Sequence, residues 1–165
     1  MTTITLRALL AAILAMLLAG SALAEAGLGY KAFSKSGAYD DVRADLEDAI
    51  VNRGYVIDFV GQFNQMLERT SQVAESVTAL GAKSPYKKAE YLQFCAAKLA
   101  HEAVSANPGN IANCPYVLFV YELANNPGKI HVGYRLPPSG PSRATKAINA
   151  KIEKLLNDIA MEALN

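Results

Sequence analysis

An α+β fold, an antiparallel or mixed sheet with helices packed on it, is what this sequence predicts, and three observations point to it. Between Pro115 and Leu123 the apolar residues alternate on both sides of the chain, Val117, Phe119 and Tyr121 against Tyr116, Leu118 and Val120, as in a central strand covered on two faces. Asn125-Asn126-Pro127-Gly128 is strong turn chemistry and leads into a second alternating run, Lys129 to Arg135, so the two runs form a hairpin. Ala144, Ile148, Ile152, Leu155 and Ile159 recur at helical spacing and define a closing helix. A hairpin excludes an all-parallel sheet, and the full order reads β-α-β-α-β-α-β-β-α.

In chain order, Gly27 to Ser34 alternates weakly through Leu28, Tyr30 and Ala32 and reads as a first strand. Tyr39, Val42, Leu46, Ala49 and Ile50 share one helical face, with Asp40 and Asp41 in the opening turn favouring its positive end and Gly54 supplying a left-handed stop. Tyr55 to Val60, rich in β-branched and aromatic residues, follows as a strand. Phe63, Met66, Leu67, Val73, Val77 and Leu80 form a second helical stripe, and Gly81 to Pro85 a loop. Tyr86 and Tyr91 bracket a strand running to Phe94 and Cys95. Leu99, Ala100, Ala103 and Val104 mark a third helix that Asn107-Pro108-Gly109 ends. His131 falls on the wetter face of the last strand, opposite Ile130, Val132 and Tyr134. Pro137, Pro138 and Pro141 carry the chain to the closing helix.

At 165 residues and 52% apolar content the chain is of one-domain size. Met1 to Arg7, the apolar run Ala8 to Leu18, and Ala22-Leu23-Ala24 have the order of a secretory signal with a small-x-small cleavage site. An apolar helix from Ala8 to Ala19 would reach only about 18 Å, short of the roughly 30 Å of a hydrocarbon core, so cleavage is expected after Ala24 rather than retention as an anchor. The expected division is a signal peptide over residues 1–24 and one domain over 25–165, the mature chain beginning at Glu25 and standing free of the membrane in the periplasm or outside the cell. Arg7, one of 16 basic residues, is the only charge before Glu25, so the basic residues beyond it equal the 15 acidic ones. A neutral domain with scattered charges lacks the electrostatic footprint that nucleic acid selects.

Residues able to carry chemistry are few. No Gly-rich phosphate loop, G-x-S-x-G elbow, C-x-x-C or haem-attachment motif occurs, and His101-Glu102 lacks the second histidine of a zinc-protease helix because position 105 is Ser. Catalytic residues are therefore unassigned, and an enzyme is the less favoured reading. Cys95 and Cys114 stand out. In an oxidising compartment such a pair most often forms a structural disulfide. The functional alternative is a thiol or metal site, because Cys95 lies at a strand end just before a helix, where amide dipoles lower a thiol pKa. If the flanking strands are antiparallel neighbours the thiols start close together. If a crossover joins parallel strands they lie about 17 Å apart. His101 is the candidate third ligand, though a histidine there is more often a surface residue; His131 is likewise usually a solvated strand residue, and Tyr121 is the one tyrosine singled out from the sheet filler. No cofactor follows from these residues, a metal ion at the thiols being the sole candidate.

Met66-Leu67-Glu68-Arg69-Thr70, Tyr86-Lys87-Lys88-Ala89-Glu90, Phe94-Cys95, Leu99-Ala100-His101, Asn113-Cys114-Pro115 and Val120-Tyr121-Glu122-Leu123, taken in order, resemble the DUF302 family with its TT1751-like fold. The resemblance extends over nearly all of the chain beyond the signal. It implies an α+β sandwich in which the strands bearing Cys95 and Cys114 run antiparallel, with both thiols toward one sheet end. It also implies a homodimer, for which Tyr-rich strand edges in need of cover are weaker support, and company with exported redox and sulfur-metabolism proteins. It supplies no established activity. Where the family commonly has Asn-Pro after the first cysteine, this chain has Ala96-Ala97. Two readings follow: an exported module that binds a small ligand or a periplasmic redox partner, and a thiol-based redox or metal-handling protein using Cys95 and Cys114.

Overall fold

The computed structural model describes residues 29–73, 84–138, 140 and 142–165, with residues 71–73 described in backbone only. The expected signal peptide and its cleavage site, Leu28 of the first strand, and Val77 and Leu80 of the second helical stripe lie outside the described residues. Five strands, β1 (Tyr30–Ser36), β2 (Ile57–Gln62), β3 (Tyr86–Phe94), β4 (Tyr116–Leu123) and β5 (Asn126–Arg135), make one sheet in the order β1-β5-β4-β3-β2, antiparallel at every pairing. The helices among the described residues are α1 (Tyr39–Val51), α2 (Phe63–Val73), α3 (Ala97–Ala106) and α4 (Arg143–Glu162), with a 3-10 helix at Pro108–Asn113. The element order is the expected one, and of the antiparallel or mixed sheet expected it is the antiparallel form that is found. No helix among the described residues is long and apolar enough to cross a membrane.

β1 and β2 occupy opposite edges and point the same way, so the segment between them must cross four strand intervals, about 19 Å. A 13-residue helix, about 20 Å long, does this. Its stripe Tyr39, Val42, Leu46, Ala49 and Ile50 is buried as the periodicity predicts, and Gly54 stops it with φ of 79°. α1, α3 and α4 cover one face of the sheet, where Leu92, Phe94, Leu118, Val120, Ile130, Val132 and Tyr134 meet Leu46, Ile50, Ala103, Ile152 and Ile159 in the main core. All seven of these strand residues are wholly buried, which centres the core on β3, β4 and β5.

Three expectations shift in detail. On α4 the buried stripe is Thr145, Ile148, Asn149, Ile152, Leu156, Ile159 and Ala160; Ala144 is exposed and Leu155 only half-buried. The helix packs on α1 and α3 as well as on β5, so its covered face is wider than one stripe and takes in a polar residue. Asn149 is buried because it is satisfied: it donates to the Pro138 carbonyl at 2.6 Å and accepts from Asn113 at 3.2 Å. On β1 it is Phe33 that packs toward the helices, while Tyr30 and Ala32 face the other side. Lys31 and Lys35 flank Phe33 with their stems and pair with Glu153 of α4 and Asp45 of α1.

The hairpin turn differs most. Strand pairing already resumes at Leu123 with Asn126, the turn is Ala124-Asn125, and Pro127-Gly128 falls in a bulge beyond it. Glu122 explains this. Its buried carboxylate accepts from the Gly128 N–H at 2.8 Å and from Lys87 Nζ at 3.0 Å, pinning the bulge while Gly128 adopts φ of 79°. The Gly128 bond, and after it Lys87, hold the Glu122 carboxyl below the usual carboxylate range. A depressed carboxyl pKa contributes stability that is full above the unfolded value of about 4.3 and is lost as pH falls through the folded one. Glu122→Gln is therefore expected to destabilise the protein by about 2 kcal/mol at neutral pH. The gap between variant and wild type should narrow toward about pH 3, as urea unfolding at the two pH values would measure.

Candidate ligand cleft

The sheet face opposite α1, α3 and α4 carries a continuous set of aromatic side chains. Alternation along β4 sends Tyr116, Leu118 and Val120 into the main core and turns Val117, Phe119 and Tyr121 to this second face. Register brings Tyr91 of β3 directly opposite Phe119, Ala89 opposite Tyr121, and Gly133 of β5 opposite Phe119 on the other side. Beyond Tyr91 lies Gly61 of β2. α2 begins immediately after β2 and brings Phe63 and Met66 over one end of this face.

The two glycines determine the shape. A Cβ on Gly61 would overlap the Tyr91 ring, and a Cβ on Gly133 would overlap the Phe119 ring and the Lys31 carbonyl oxygen. Tyr91 thus leans outward over β2 and Phe119 leans outward over β5, although the two residues are register partners. Between the parted rings opens a cleft of about 670 Å³, lined chiefly by Tyr30, Phe63, Met66, Tyr86, Tyr91 and Phe119. Ring contacts brace its walls: Tyr30 meets Phe119 edge-on at 5.8 Å, Phe63 meets Tyr86 at 5.6 Å, Tyr86 meets Tyr121 at 5.4 Å, and Phe59 lies against Tyr91 at 6.0 Å.

The candidate residues read from sequence fall into three places. Tyr121 lines the cleft, and His131, its register partner, stacks flat on it with centroids 4.6 Å apart. His131 therefore lies on the second face as expected, but half-buried. Its Nε2 is buried with no hydrogen-bond partner among the described residues, and burial, with Lys129 adding to it, lowers its pKa below the ordinary histidine value. A neutral imidazole buttressing Tyr121 fits that environment. Cys95 and Cys114 are joined in a disulfide with Cα atoms 6.3 Å apart, at the end of the sheet where Phe94 pairs with Tyr116. The close, antiparallel arrangement is thus the one found. His101 is exposed on α3, and among the described residues no three His, Cys, Asp or Glu side chains are grouped to hold a metal.

Sequence reasoning placed Val117, Phe119 and Tyr121 on one face but missed Tyr91, Gly61, Gly133 and Arg135 as parts of the same cleft. The available signal was a glycine inside each of two strand patterns, which marks a site of close approach. Which aromatic approaches which glycine depends on register.

The sequence profile described as "Domain of unknown function DUF302" matches residues 31–160. A solved structure titled as an uncharacterized conserved DUF302 protein from Bacillus stearothermophilus superimposes with a TM-score of 0.67 at 18% identity, over 83% of this chain and 99% of that one. No functionally curated protein matches.

Proposed function

Given that this chain belongs to the DUF302 family, whose function is unassigned, we propose that it is an exported binding module whose small apolar ligand occupies the cleft on the second face of the sheet. The parting of Tyr91 and Phe119 over Gly61 and Gly133 carries this reading. Apolar rings that face each other in register ordinarily close the gap between them, whereas here two strand glycines keep it open. A volume of about 670 Å³ falls within the range of small-molecule sites, and an aromatic lining suits a flat, apolar body. The setting is the one the leader and the family resemblance imply, exported redox or sulfur metabolism, with a homodimer as the expected assembly.

Thiol redox or metal handling at Cys95 and Cys114 is the second reading. It rests on the 6.3 Å approach of the pair, but the two sulfurs are engaged with each other and neither cysteine lines the cleft.

Titration with the neutral fluorophore N-phenyl-1-naphthylamine tests the cleft. Saturable binding to one site per chain is expected, with a Kd on the order of 10 μM. In Gly61→Ala the nearest atoms that the new methyl meets all belong to the Tyr91 ring, so the ring swings into the cleft and affinity falls about tenfold or more while the circular dichroism spectrum is kept. Absence of saturable binding, or a Gly61→Ala protein that binds like wild type, would overturn the reading.

A further inference from the structure

We propose that the ligand of this cleft is an anionic amphiphile, a flat apolar body bearing one carboxylate or sulfonate, and that Arg135 receives its charge. This rests on the cleft being a binding site and adds the chemical class of what binds.

Two charged residues occur among the described lining residues, Glu90 and Arg135. They differ in what holds them. Arg43 reaches Glu90 from α1 with Nε to Oε2 at 3.1 Å, so that carboxylate is engaged on the helix-covered face and is not offered to the cleft. Arg135 follows Gly133 at the next same-side position of β5, so it stands on the cleft face, opposite Tyr30 in the β1 register. Its backbone is fixed, because the pairing of β1 with β5 continues past it in the bond from the Leu136 N–H to the Gly29 carbonyl at 2.9 Å. Yet no ion pair or side-chain hydrogen bond engages its guanidinium among the described residues. Of the other strand cations, Lys31 is committed to Glu153, Lys35 to Asp45, Lys87 to Glu122 and Lys88 to Asp40, while Lys129, at the turn end of β5, does not line the cleft. Arg135 is thus a positioned cation without a carboxylate, at the rim of an otherwise apolar cavity.

The cavity and the cation complement a particular chemistry. A neutral apolar ligand would use the rings alone and leave the guanidinium in water. An inorganic anion would use the guanidinium and leave the rings uncovered. A flat body with an acidic group uses both, since the planar guanidinium fork matches a carboxylate or sulfonate with paired N–H donors. A cationic ligand would meet like charge at the rim.

A matched pair of probes separates the charge from the apolar body. 1-Anilinonaphthalene-8-sulfonate and N-phenyl-1-naphthylamine share one ring skeleton and differ by the sulfonate. Wild type is expected to bind the sulfonate about tenfold more tightly than the neutral probe, as a charge-assisted contact would give. Arg135→Gln should remove that preference, lowering affinity for the sulfonate about tenfold more than affinity for the neutral probe. Arg135→Lys should keep part of it, having the charge without the fork. Raising the salt should weaken sulfonate binding in wild type but not in Arg135→Gln. If the neutral probe binds in a Gly61-sensitive way while the sulfonate binds no better, or if Arg135→Gln keeps the preference, the anion proposal fails and the cleft reading stands. If neither probe binds saturably, the cleft reading fails, and this proposal with it. Equal thermal midpoints for wild type and both Arg135 variants would establish that folding is not what changed.

Discussion

Replacing Gly133 with alanine is expected to cost the fold about 3 kcal/mol, the opposite of what this substitution does at an ordinary strand position. Alanine in a strand normally stabilises by about 0.5–1 kcal/mol relative to glycine, because the unfolded chain loses freedom. Here the methyl would overlap two neighbours at once, the Phe119 ring and the Lys31 backbone oxygen. A ring can turn, but a carbonyl paired within the sheet can move only if β1 shifts as a whole, since Lys31, Phe33 and Lys35 all pair along β5. The sign is therefore set by the backbone contact. Urea unfolding would measure it, and a Gly133→Ala protein as stable as wild type would show that β1 does not lie as close to β5 as described. Gly61→Ala is the internal contrast, because the nearest atoms its methyl meets are those of the Tyr91 ring and none is backbone; that variant should lose ligand affinity with much less loss of stability.

Removing the disulfide should have an effect of similar size by a different route. Cys95 and Cys114 lie 19 positions apart and close a loop containing α3 and the 3-10 helix. In the chain-entropy account, opening such a loop releases the unfolded chain and lowers stability by about 3 kcal/mol. The native contacts around it need not change, since β3 and β4 remain paired from Phe94 and Tyr116 onward. The Cys95→Ala/Cys114→Ala double variant is thus expected to keep its circular dichroism spectrum and its affinity for the neutral probe while melting at lower temperature. Native protein should show no titratable thiol until it is reduced. Two reactive thiols in the untreated mature protein would instead favour the redox reading.

The sequence carried the elements well, since burial imposes a period that shows in residue order. The α1 stripe and the two-sided apolar character of β4 follow from helix and strand geometry alone, and both appear where the spacing put them. Positions that depend on a distant partner were not legible. Asn-Pro-Gly is turn chemistry wherever it occurs, and only the capture of the Gly128 N–H by Glu122 makes it a bulge beyond an Ala124-Asn125 turn. Tyr121 and His131 could be set on strand faces from the alternation, but their stacking requires the β4–β5 register. The cleft is the extreme case, because Gly61 and Tyr91, or Gly133 and Phe119, acquire meaning only as cross-strand neighbours.

Strand order also constrains the sequence of events by which the sheet can assemble. β2, β3, β4 and β5 pair each with the next along the chain, so each can dock on its predecessor as it becomes available. β1 has no such neighbour: its pairing partner in the sheet is β5, from Tyr30 with Arg135 to Ser36 with Lys129. The strand made first must therefore wait for the strand made last, and contacts so distant in sequence are the slow ones to form. The cleft shares that delay, because Tyr30 and Arg135 come together across this pairing. A chain with β2 to β5 already assembled would still present β5 as an open edge, and its rim would be completed only when β1 closes it.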